Sequence, residues 1–227
     1  MDYYYKYIKY KKKYLELVNL KKMNGGAYEK KIIHICGASG AGKTTLGKKL
    51  LNTYGDNIIV VDLDDMRYDF VKKEYGGFKK FKFNKTDNFD KLKFQKWIDN
   101  FIKKQSRPIV FVGLNHNPWW HKNHYYDLHS TYNFYIKLDV KSIFEQKCLR
   151  FIEQQFIDDK DIMIKSIMKN EEKSIKTTIN NYKRDCSFEL VKKMNKIWTT
   201  HYKKQKYIFL SREEIYDKVC KILNNDD

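Results

Sequence analysis

The densest chemistry in the chain lies just after residue 36. Gly37-Ala38-Ser39-Gly40-Ala41-Gly42-Lys43-Thr44, with Thr45 after it, spells G-x-x-x-x-G-K-[ST]. Its glycines let the backbone wrap tightly, so that successive N–H groups converge on phosphate oxygens. The lysine of such a loop reaches the β- and γ-phosphates, and the hydroxyl that follows can bind Mg²⁺. The helix that starts there favours an anion at its N-terminus. Residues Gly37 to Thr45 are therefore expected to hold ATP, with Lys43 at the transferring phosphate and Thr44 on the metal.

A second cluster is Val60-Val61-Asp62-Leu63-Asp64-Asp65-Met66-Arg67. Carboxylates at the carboxyl end of a strand in an α/β sheet face the ligand crevice. There they can hold Mg²⁺ or take a proton from an attacking hydroxyl. Strand alternation would put Asp62 and Asp64 on one side. An ordinary helix start, with Asp64 as N-cap and Asp65 in the first turn, is the plainer expectation, and the two are compatible. Four of the six histidines (His116, His121, His124, His129) fall in Asn115–Ser130. No cysteine accompanies them and their spacing fits no familiar zinc set. His116 and Trp119 are candidate substrate contacts there. Trp120, Tyr125 and Tyr126 either stack on a base, cover the site or fill the core.

Elements must bring these residues together. Apolar runs predict strands at Lys31–Cys36, Asn57–Asp62, Pro108–Val112, Tyr132–Leu138 and Tyr207–Leu210. Helical patterns separate them: Lys43 to about Thr53, Asp90–Lys104, Val140–Phe156, Asp159–Asn181, Ser187–His201 and Glu213–Leu223. Gly76–Asn88 lacks a period and is expected to be a loop. Such alternation predicts an α/β three-layer sandwich with a mostly parallel five-stranded sheet. Residues 1–26 are different. The first 24 residues hold seven lysines and six tyrosines, and Tyr3, Tyr7, Tyr10, Tyr14 and Leu17 share one helical face. Gly25-Gly26 ends that helix. The domain proper is expected to span residues 27–227.

Composition excludes several classes. Hydrophobic residues make up 42% and aromatic residues 16%, enough for a packed core and against global disorder. No apolar run approaches the roughly 20 residues that span a bilayer, and no secretory signal is present. The four cysteines are scattered, which predicts a reducing, cytoplasmic compartment. The formal charge is +18, but 41 of the 46 basic residues are lysine and only three residues are alanine. That bias looks like an AT-rich coding sequence as much as a nucleic-acid surface.

With its glycine loop and D-x-D, the chain resembles the small P-loop kinases: the nucleotide, shikimate and gluconate kinases and their relatives. The resemblance spans about residues 31–223. It implies a P-loop NTPase fold with a helical lid over Asp159–Asn181. Asp62 and Asp64 look like the magnesium and substrate motif of the shikimate and gluconate types. Read as D-D-x-R, the stretch Asp64-Asp65-Met66-Arg67 is similar to the 5′-hydroxyl polynucleotide kinases, and Arg67 would then hold a substrate phosphate. Both resemblances make Asp64 the general base. The small-kinase resemblance also makes Arg150 the arginine that stabilises the transferring phosphoryl group, with Arg184 second. The chain departs from the family at Gly113-Leu114-Asn115, where no carboxylate ends the third strand. The leader resembles those of many large DNA virus proteins. That implies cleavage after Gly26 by a viral maturation protease, and a location in host cytoplasm or virion.

The reading is an ATP- and Mg²⁺-dependent kinase acting on a small-molecule hydroxyl compound, most naturally a nucleoside or nucleotide. A polynucleotide 5′-hydroxyl kinase and a non-catalytic nucleotide-binding virion or scaffold protein are the alternatives.

Overall fold

The computed structural model describes residues 30–77, 89–117, 124–153, 180 and 187–226. Five strands make one sheet: β1 (Ile32–Gly37), β2 (Ile59–Asp62), β3 (Ile109–Val112), β6 (Tyr132–Ile136) and β7 (Ile208–Leu210). Their order is β2-β3-β1-β6-β7 and every pairing is parallel. The expected α/β sandwich is therefore present, and all five sheet strands run the same way. Two further short strands, β4 (His116–Asn117) and β5 (His124–Tyr125), pair antiparallel apart from the sheet. At two residues each they are too short for a hydrophobic period, and the sequence signalled neither.

Among the described residues six α-helices cover the sheet: α1 (Lys43–Tyr54), α2 (Leu63–Tyr75), α3 (Lys91–Lys104), α4 (Val140–Ile152), α5 (Phe188–Lys204) and α6 (Arg212–Asn224). A parallel sheet clad on both faces needs strands that are apolar on both faces, and every residue of β1 is buried. Alternation then sorts them. Ile33 and Ile35 pack with Leu46 and Leu50 of α1 and with Ile215, Val219 and Ile222 of α6. On the opposite face Ile32 joins Phe70, Phe94 and Ile98 from α2 and α3. Cys36 joins Ile143, Val191 and Trp198 from α4 and α5. The order puts β1 between β3 and β6, so the glycine loop leaves the middle of the sheet at its carboxyl edge.

Five of the six helices have a side-chain N-cap: Asp62, Asp90, Asp139, Ser187 and Ser211 each accept a backbone N–H of the first turn. The sixth, α1, starts at Gly42 with no side-chain cap, which leaves its first-turn amides without that partner. The second strand corrects the sequence-based expectation. The chain turns into α2 directly after Asp62, so Asp62 is the N-cap and Asp64 sits in the first turn. The Asp62 carboxylate ends the strand by accepting the Asp64 amide at 2.9 Å.

The leader with Gly25-Gly26, the helix expected over Asp159–Asn181, and Trp119, Trp120, His121 and Arg184 lie outside the described residues. Among the described residues no helix is long and apolar enough to cross a membrane.

Candidate active site

The glycine loop closes on itself. The Ala41 amide donates to the Ala38 carbonyl at 3.1 Å, and Gly40 and Gly42 take φ of +85° and +81°, where a side chain would strain the backbone. The Lys43 ammonium donates to the carbonyls of Gly37 (3.0 Å) and Ala38 (2.8 Å), and so spans the loop it follows. Burial lowers its pKa from the ordinary lysine value. The Asp64 and Asp62 carboxylates oppose that fall, and the Arg150 cation adds to it. Three other predicted site residues thus lie within electrostatic reach of Lys43.

Thr44, exposed on the first turn of α1, donates its hydroxyl to Asp62 Oδ2 at 3.0 Å. This bond joins the loop helix to the end of β2. Asp62 therefore has two partners: one oxygen caps α2 and the other faces the loop. A threonine hydroxyl beside a carboxylate is a hard-oxygen pair, which suits Mg²⁺. Among the described residues no group of three His, Cys, Asp or Glu side chains comes together as a metal site. Protein donors for Mg²⁺ would be few, as usual where phosphates supply the rest.

Asp64 is 81% exposed, and its Oδ1 is held by Arg67 Nη2 at 2.5 Å. Arg67 is only 13% exposed. Its Nε also donates to the Leu63 carbonyl (3.0 Å) and its Nη2 to the Leu114 carbonyl (3.2 Å). Three donations from one guanidinium go to the protein itself, which leaves Nη1 for anything else. His116 is buried, and its ring stacks on that of His201 of α5 at 3.9 Å. The structure thus draws together Lys43, Thr44, Asp62, Asp64, Arg67 and Arg150. His116 is set among aromatic rings, with Tyr125 also near His201.

Two walls of the loop were not picked out from the sequence. A Cβ added at Gly40 would meet Gln146 Cβ at 3.4 Å and the Lys147 amide at 3.5 Å, so α4 packs over the loop. Arg150 lies one turn beyond Gln146 on the same helical face. A Cβ added at Gly42 would meet Arg212 Nη1 at 2.8 Å. Arg212 opens α6 directly after β7, at the same carboxyl edge as the loop. Two signals pointed to it: its place just past a strand end, and its being one of only five arginines.

The third strand explains its missing carboxylate. Gly113 has φ +132°, and a Cβ there would lie 2.9 Å from Leu63 Cβ. The start of α2 fills the space that an acidic side chain would need.

Residues 17–81 match the family model described as Zeta toxin. The match covers under a third of the chain and takes in β1, the glycine loop, α1, β2 and α2. That family is P-loop kinase-like. The match and the parallel sheet fit the small P-loop kinase superfamily and support nucleotide-dependent phosphotransfer as the broad activity. No curated protein matches the chain.

Proposed function

We propose that the chain is an ATP-dependent kinase that moves the γ-phosphoryl group to a hydroxyl of a small-molecule acceptor. One observation carries this: Thr44 of the loop helix and the Asp62 carboxylate that ends the next strand meet directly, through a 3.0 Å bond, with Asp64 following in the first turn of α2. Lys43 and the uncapped amides of α1 hold the phosphates. Thr44 and Asp62 are the residues that would hold Mg²⁺, which when bound neutralises charge developing on the phosphates. Asp64 takes the proton of the acceptor hydroxyl. The acceptor oxygen forms its bond to the γ-phosphorus, the bond from that phosphorus to the ADP oxygen breaks, and ADP leaves with the electron pair. Arg150 places its positive charge beside the transferring group, and Arg212 forms the opposite wall. Such catalysis consists chiefly of positioning and electrostatics.

The polynucleotide 5′-kinase reading asks Arg67 to hold a substrate phosphate. Its donations to Leu63, Asp64 and Leu114 count against that role. The small-molecule reading asks nothing of Arg67 beyond its present partners.

Labelled ATP with Mg²⁺ should be offered nucleosides, nucleotides, sugars and 5′-hydroxyl oligonucleotides. Transfer is expected to a member of the first three classes, and Lys43→Ala should abolish it while leaving the melting temperature near that of the wild type. Label appearing only on oligonucleotides, or full turnover in Lys43→Ala, would overturn the proposal.

A further inference from the structure

A hydrogen-bonded network lies behind Asp64, centred on the three residues that follow β3. The Gly113 carbonyl accepts from His34 Nε2 at 2.9 Å. A carbonyl can only accept, so this bond puts the ring proton on Nε2 and leaves Nδ1 to accept from the Tyr207 hydroxyl at 2.6 Å. The Leu114 carbonyl accepts from two donors, the Tyr126 hydroxyl (2.9 Å) and Arg67 Nη2 (3.2 Å). Buried Asn115 donates to the Tyr126 carbonyl (3.2 Å) and accepts from the Tyr202 hydroxyl (3.2 Å). Three consecutive residues are thus anchored to β1, to α5, to the residue preceding β7 and to the segment after β5. Arg67 is moored to this junction, with the Tyr126 ring 5.9 Å from its guanidinium carbon.

We propose that Arg67 is a positioning residue for Asp64 and makes no contact with the acceptor, a role that rests on Asp64 being the base. An ion pair at i,i+3 on a helix surface is ordinarily weak and samples many rotamers. This one is different because the cation is immobilised first, by Leu63 and Leu114. It holds Oδ1 of Asp64, while Oδ2 has no hydrogen bond among the described residues and stands free to take the acceptor proton. The side chain of an exposed aspartate would otherwise sample several rotamers. A misplacement of about 1 Å at a reacting group can cost a factor of about 100 in rate.

The test uses the full chain in two readouts. In the first, transfer from labelled ATP to the best acceptor of the panel is compared for wild type, Arg67→Lys, Tyr126→Phe and Asp64→Asn. Lysine keeps the charge but has a single nitrogen, whereas arginine holds Leu63 with Nε while Nη2 bonds Leu114 and Asp64. Arg67→Lys should lose roughly 10- to 100-fold in kcat with the acceptor KM within about twofold. Tyr126→Phe should lose less, in the same direction, and it carries the comparison if Arg67→Lys melts early. A tenfold rise in acceptor KM with kcat kept, while Asp64→Asn is inactive, would overturn this inference alone. Full activity in Asp64→Asn would sink the base assignment and the inference with it. The second readout is independent of turnover: the side-chain NMR signals of Arg67, followed as inorganic phosphate is added. They should stay put in the wild type. A saturable shift would mark Arg67 as a phosphate contact and overturn the proposal.

Discussion

Asp62 performs two tasks with two oxygens, and substitution can separate them. Asparagine still caps a helix, whereas alanine does not. Asp62→Ala should therefore lose about 1 kcal/mol of stability, while Asp62→Asn stays within a few tenths. Both should need far more Mg²⁺ for transfer, because both remove the carboxylate beside Thr44. Urea midpoints and Mg²⁺ titrations measure the two effects. An unchanged Mg²⁺ response in Asp62→Asn would remove Asp62 from the metal site. At this scale the sequence was most informative where the chemistry is local. Lys43, Thr44, Asp62 and Asp64 lie on either side of one helix–strand unit, so their spacing carried the geometry. Arg67 was legible as a participant but not in its partners. Its bond to Leu114 spans 47 residues, and no local pattern records that.

Among the elements, β3 and α2 abut closely beside the site. Gly113 combines a backbone conformation suited to glycine with direct abutment on Leu63. Gly113→Ala should cost roughly 2–5 kcal/mol, from backbone strain and overpacking together. It should also displace the carbonyls that hold His34 and Arg67. Denaturant unfolding checks the first effect; a cost under about 0.5 kcal/mol would mean that α2 yields easily. The strands were readable because a doubly covered parallel sheet demands unbroken apolar runs, and β1 and β3 supply them. Helix ends were readable to a few residues because Asp and Ser stand at the caps. The start of α2 was misjudged because D-x-D fits strand alternation as well as a capped first turn. The Asp62 cap on the Asp64 amide and the burial of Leu63 against Gly113 decide between them.

For the molecule as a whole, His34 ties the centre of the sheet to its edge. Burial is the main cause that pushes its pKa down to about 4, against the bond to the Gly113 carbonyl, which raises it. The unfolded chain protonates this histidine near pH 6.5. Above pH 6.5 neither state carries the proton, so no penalty arises. As the pH falls from 6.5 to 4 the unfolded state gains a proton that the folded state refuses, and stability drops by about 3 kcal/mol. Below about 4 that contribution levels off. Wild type and His34→Gln, unfolded by urea at pH 7 and pH 4.5, should differ in this respect: the wild type loses more. Equal losses would mean that His34 is protonated in the fold. The net charge of +18 enters none of these arguments. The basic groups that do enter are Lys43, Arg67 and Arg212, each beside a specific neighbour, and Arg150, one turn beyond Gln146 on the helix over the loop.

The packing of Arg212 against Gly42 also has a consequence in time. A ribosome makes residues 37–45 early, yet the wall they lean on is encoded 170 positions later. A nascent chain that stalls before residue 212 carries the whole glycine motif without that support. A fragment that bears the motif but stops short of α6 therefore lacks one wall of the loop.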